Sequence, residues 1–144
     1  MTSEPSEFQR LYTGRLWSVM SWDQLTAFWQ RLDPAAGWYL YAVGEMPPTT
    51  PADAATVTGF IAKVDALLRD DHRESYCGIV YADNLDAPRF VKIYDPNNLG
   101  SSCGSSKNPP PPGWTMSLLP PEAISGTRPA PEGRRRWWQS VIGG

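Results

Sequence analysis

An α+β domain with a largely antiparallel sheet is the fold class that this sequence predicts. Three observations predict it. One long apolar stripe recurs at helical spacing between Val57 and Leu68. Three strand-like runs then follow with no helix between them, so their neighbours pair antiparallel through turns. Finally, 7 Trp, 6 Tyr and 4 Phe in 144 residues supply enough large apolar side chains to fill the core of one small domain. The expected order is α-β-α-β-β-β within residues 21–119. Residues 1–20 are read as an N-terminal extension, and 120–144 as a Pro-, Arg- and Trp-rich tail.

The first helix is expected over 22–32. Ser21 and Gln24 have the spacing of a capping box, and Met20 and Leu25 that of a hydrophobic staple. Trp22, Leu25, Phe28, Trp29 and Leu32 share one face. Asp33-Pro34 ends the helix, because the residue before proline is driven out of the helical region.

Residues 37–45 contain Trp-Tyr-Leu-Tyr-Ala-Val, aromatic and apolar on both faces, which predicts a strand covered on both sides. Thr50-Pro51-Ala52-Asp53 then reads as a helix start with Thr50 as cap and Pro51 in the first turn. Val57, Phe60, Ile61, Val64, Leu67 and Leu68 form its buried stripe, and it fades in the charged run 69–74.

Tyr76–Asp83 and Arg89–Asp95 predict two strands of a hairpin, turned by Asn84-Leu85-Asp86-Ala87-Pro88. Trp114–Leu118 alternates apolar and polar residues, which predicts a strand with one solvated face. The tail beyond Pro120 shows little periodicity and is expected to run along the surface.

Composition narrows the function classes. A net charge of −2 gives no large single-sign field. Residues 1–100 carry 8 basic and 13 acidic groups, and 101–144 carry 5 and 2, so the second part is net +3 and the first net −5. Cys77, Cys103 and the single His72 are too few for a structural zinc site, so no metal and no cofactor is expected. No apolar run is long enough to span a bilayer and the first residues carry no signal-peptide pattern, which points to a cytoplasmic chain with reduced thiols.

The segment 95–113 is the most unusual stretch. It joins two strands, yet it is far longer than such a connection needs. Asp95, Asn97 and Asn98 are turn formers. Gly100, Ser101, Ser102, Cys103, Gly104 and Ser105 offer free amides and hydroxyls of the kind that form anion-binding nests. The expected function is that of a non-catalytic accessory or regulatory protein. It would bind a protein partner, or a small anion, through these residues.

Two other chemistries are open. Cys103, beside Lys107 and free amides, has the setting of a low-pKa nucleophile, with His72 and Asp95 as its only candidate base and orienting group. A Cys77–Cys103 disulfide is an alternative state of the same thiol. Arg134-Arg135-Arg136 beside Trp137-Trp138 has the chemistry of a phosphate or membrane-surface contact, although three charges are fewer than nucleic-acid or membrane binding recruits. The proline run 109–112 favours polyproline II, a form that an aromatic groove in a partner reads.

Overall fold

The computed structural model describes residues 6–71, 79–96, 112–124 and 132–142. Its elements, in chain order, are α1 (Glu7–Thr13), β1 (Trp17–Ser18), α2 (Trp22–Gln30), β2 (Tyr39–Ala42), α3 (Ala54–Asp71), β3 (Val80–Ala82), β4 (Phe90–Ile93), β5 (Trp114–Ser117) and α4 (Glu132–Ile142). The strands form one five-stranded sheet in the order β1-β3-β4-β5-β2, and every neighbouring pair is antiparallel. From α2 to β5 the order is the α-β-α-β-β-β expected. The structure adds α1 and β1 before it and α4 after it.

Each addition has a reason for being hard to read. α1 is a helix of 7 residues that buries only Phe8, too short to show a period. Its start is nonetheless local chemistry, since the Ser6 hydroxyl accepts the Gln9 amide at 3.1 Å. β1 is 2 residues long. In α4 the inward stripe is Arg134, Trp137, Trp138 and Val141, at i, i+3, i+4 and i+7, and its first member is charged. An apolar count therefore misses a turn of the stripe and leaves the tail looking aperiodic.

Local signals mostly act as expected, with shifts of detail. Ser21 Oγ accepts the Gln24 amide at 3.0 Å, but the Gln24 side chain takes the Met20 amide, at 2.6 Å. Met20 is 63% exposed, so it forms no staple with Leu25. The long helix is capped by Asp53 and not by Thr50: Asp53 Oδ1 accepts the Thr56 amide at 2.8 Å. Residues 50–52 stay out of the helix because the Ala52 amide is bonded to the Trp38 carbonyl at 2.8 Å, which ties this segment to the start of β2. The β3–β4 turn closes on its own side chains. Asn84 Oδ1 accepts the amides of Asp86 and Ala87, and Asp83 Oδ1 those of Arg89 and Phe90.

Helices cover both faces of the sheet. On one face α2, α3 and α4 bury Leu25, Phe28, Val57, Phe60, Val64, Leu68 and Trp138 against Leu40, Val80, Val91, Ile93, Trp114 and Met116. On the other, Phe8 of α1 packs with Tyr41, Val43 and Phe90. This corrects the expectation of a solvated face on β5, where Trp114, Thr115, Met116 and Ser117 are all buried. The layers on the two faces of the sheet cover β5 from both sides, and alternation of polarity does not mean alternation of exposure. β2 is covered on both faces as expected, although it stands at the end of the strand order.

Candidate functional site

The predicted segment 95–113 leaves from the end of β4 and returns at the start of β5. These two strands are paired neighbours, with Ile93 opposite Trp114. The segment is thus the connection of an antiparallel hairpin, which a turn of about 2–5 residues is able to close. Its base is fixed. The Gly113 amide donates to the Ile93 carbonyl at 2.9 Å, and the Gly113 carbonyl accepts the Val43 amide at 3.0 Å. A Cβ at Gly113 would stand 3.2 Å from the Asp95 Cβ and 3.3 Å from its backbone nitrogen, so glycine lets the returning chain pass close to the departing one.

A guanidinium clamps this base. Arg134 Nε donates to Asp95 Oδ2 at 2.7 Å, and Arg134 Nη2 donates to Asp95 Oδ1 at 3.0 Å and to Asp71 Oδ2 at 2.8 Å. The Arg134 and Asp95 side chains are only 18% and 13% exposed, so water competes weakly for the pair. The hydrogen bond to Asp95, joined by that to Asp71, raises the Arg134 pKa further and keeps the group cationic at any working pH. One side chain of α4 therefore holds together the start of α4, the end of α3 and the exit of β4. Arg135 adds an exposed pair to Glu45, just beyond β2, at 2.9 Å. Beside the clamp an open cleft of about 450 Å³ runs between α3 and α4, edged by Lys63, Asp70, Asp71, Arg134, Trp137 and Ser140.

Of the candidate residues, Asp95 is placed by this geometry. Asn97, Asn98, Gly100, Ser101, Ser102, Cys103, Gly104 and Ser105 lie outside the described residues, as do His72 and Cys77. The clamp does bring two of their chain neighbours onto one guanidinium. Asp71 immediately precedes His72, and Asp95 opens the Cys103-bearing segment. The arginine cluster is largely engaged within the chain. Arg134 and Arg135 are ion-paired, and among the described residues Arg136 alone of the three has no such partner. The two indoles beside it pack inward, Trp137 against Trp114 at 5.1 Å between ring centres and Trp138 edge-on to Phe60 at 5.7 Å. Among the described residues no three His, Cys, Asp or Glu side chains converge as metal ligands would, and no helix is long and apolar enough to cross a membrane.

Sequence reading missed the role of Arg134. The available signal was its spacing three and four residues before Trp137 and Trp138, which puts it on the buried stripe and not on a solvated one. It also missed a polar row on the α1 face of the sheet. Register places Ser18, Tyr81, Lys92, Thr115 and Tyr41 side by side across all five strands. Comparison of the chain with protein-family models, with curated proteins and with solved structures finds no match to any of them.

Proposed function

We propose that this protein is a non-catalytic accessory or regulatory protein that binds a protein partner through the 95–113 segment. The observation that supports it most is the hairpin register. With Ile93 opposite Trp114, a short turn would complete the sheet, and a longer connection costs more loop-closure entropy. A segment of this length on a rigid base is the usual design of a recognition loop. The base here is clamped by Arg134 on Asp95 and Asp71, so docking the segment costs no rearrangement of the sheet beneath it.

The test is affinity capture from a cell extract with three versions of the full chain: the natural sequence, Cys103→Ser, and one in which residues 97–111 are replaced by a Gly/Ser linker of equal length. Captured proteins are identified by mass spectrometry and then titrated, purified, against each version. The natural chain and Cys103→Ser are expected to bind one partner alike, and the linker version to lose it. A partner held equally by the linker version sinks the proposal. Loss of binding in Cys103→Ser, together with alkylation of Cys103 at a midpoint well below the ordinary thiol value of about 8.5, would shift the reading to thiol chemistry.

A further inference from the structure

α3 and α4 run antiparallel and leave a cleft of about 450 Å³ between them, a volume in the range of small-molecule sites. Polar bridges mark its two ends. At one end Lys63 Nζ donates to the Ser140 carbonyl at 3.2 Å, and at the other Arg134 Nη2 donates to Asp71 Oδ2 at 2.8 Å. On the α3 side the lining residues are Lys63, Ala66, Leu67, Asp70 and Asp71, which form one stripe of the helix. Ala66 has no side chain beyond its Cβ, which leaves the middle of the stripe hollow. Trp137 walls it from α4, half-buried and backed by Trp114. Lys63, Ala66 and Asp70 are exposed, so a solute reaches the lining directly.

The two ends of this cleft carry opposite charge. At one, the single guanidinium of Arg134 serves two carboxylates, Asp71 and Asp95, and Asp70 adds a third acid, so acid exceeds base there among the described residues. The neighbouring Arg69 is bonded to Asp65. At the other end Lys63 is the charged residue of the lining, and it bonds a neutral carbonyl, which takes one of the three N–H donors of the ammonium. Two turns of α3 separate Lys63 from Asp70, about 10 Å along the axis, so the two do not pair with each other. Between them the lining is apolar, from Ala66, Leu67 and Trp137. The order of cation, apolar middle and anion is the complement of a molecule with a carboxylate, an aliphatic stem and an ammonium. An α-amino acid holds its two charges too close together to meet both ends. An ω-amino acid reaches both, and an indole face suits its methylenes and its cation alike.

We propose that the α3–α4 cleft binds a small ω-amino acid, its carboxylate on Lys63 Nζ, its stem along Ala66, Leu67 and Trp137, and its ammonium on Asp70. No lining residue belongs to the 95–113 segment, so this proposal and the partner reading stand or fall separately. The probe is 6-aminohexanoate, titrated into the isotopically labelled full chain and followed by amide and indole NMR shifts. Hexylamine, hexanoate and alanine are titrated in parallel. They carry the ammonium end alone, the carboxylate end alone, and both charges without the stem.

6-Aminohexanoate is expected to move the signals of Ala66, Leu67 and the Trp137 indole in a saturable way, and each of the other three to bind at least about tenfold more weakly. Lys63→Met, which keeps the stem of the side chain without its charge, and Asp70→Asn, which keeps its shape, are each expected to weaken binding about tenfold, the value of one charged hydrogen bond. Both positions are exposed, and the spectra of the variants report directly whether the fold is kept. Absence of saturable shifts in the natural chain overturns the proposal, and so does unchanged binding in Lys63→Met or in Asp70→Asn. Equal binding of hexylamine or of hexanoate overturns the two-ended assignment, and equal binding of alanine overturns the part given to the stem.

Discussion

Thr115 shows how a single residue can be unfavourable for stability and still fit the sheet. Its hydroxyl is buried with no partner among the described residues, a state that costs on the order of 1–3 kcal/mol. Thr115→Val is therefore expected to raise unfolding stability by about 1 kcal/mol in urea titrations. A fall would mean that the hydroxyl is bonded in solution. Tyr12 is a second residue with a measurable signature. Burial first, and then the neighbouring Tyr94 and Tyr41, push its phenol from 10.0 up to about 12. A folded-state pKa above the unfolded one gives stability that is fully present below pH 10 and is lost as pH rises toward 12. Lys92 acts in the opposite sense, since its lowered pKa means that folding is favoured as the ammonium loses its proton. The difference between the natural chain and Tyr12→Phe isolates the phenol. The variant is expected to lose less stability between pH 10 and 12, and identical alkaline profiles would contradict the assignment.

The elements are set by caps and clamps as much as by stripes. Asp53 accepts the Thr56 amide, so α3 begins at Ala54, and hydrogen bonding from the Thr56 side chain first, and then from that amide, lowers the Asp53 pKa. Asp53→Ala is expected to lower the melting temperature, and Thr50→Ala to leave it nearly unchanged; the reverse result would restore the earlier helix start. At the other end of the molecule α4 depends on Arg134. Removing its guanidinium leaves Asp95 and Asp71 close together without the cation that bridges them. Arg134→Ala is expected to cost about 2 kcal/mol, the scale for charged hydrogen bonds at a partly buried site. A double-mutant cycle with Asp95→Asn measures how much of that is the pair itself. A coupling near zero would mean that the Arg134–Asp95 pair adds nothing to the hold on α4.

For the whole molecule, the two faces of the sheet are roofed by very different amounts of helix. The α2–α3–α4 layer holds most of the core, while α1 is a single short helix on the other side. α4 completes the first layer by burying Trp138 on Phe60 and placing Trp137 on Trp114. Truncation before residue 125 would expose those partners. It is expected to destabilise the domain by at least about 3 kcal/mol, the usual cost of removing one buried tryptophan. Equal melting curves for the truncated and full chains would show that the tail is an accessory to the fold and not a part of it.

What the sequence determined is everything that rests on neighbours along the chain. The stripe from Val57 to Leu68, the Ser21 cap, the Asn84 turn and the hairpin of β3 and β4 are all local, and all were legible. So was the oddity of the 95–113 segment, because length and composition need no third dimension. Tertiary structure decided the rest. Exposure of β5 depended on what lies above and below it, which alternation of residue types does not encode. Arg134 became an inward residue only because Asp95 and Asp71 arrive from two other elements to neutralise it. The row of Ser18, Tyr81, Lys92, Thr115 and Tyr41 draws one residue from each of five strands. No window of the chain contains it, because a cross-strand row exists only once register has been set.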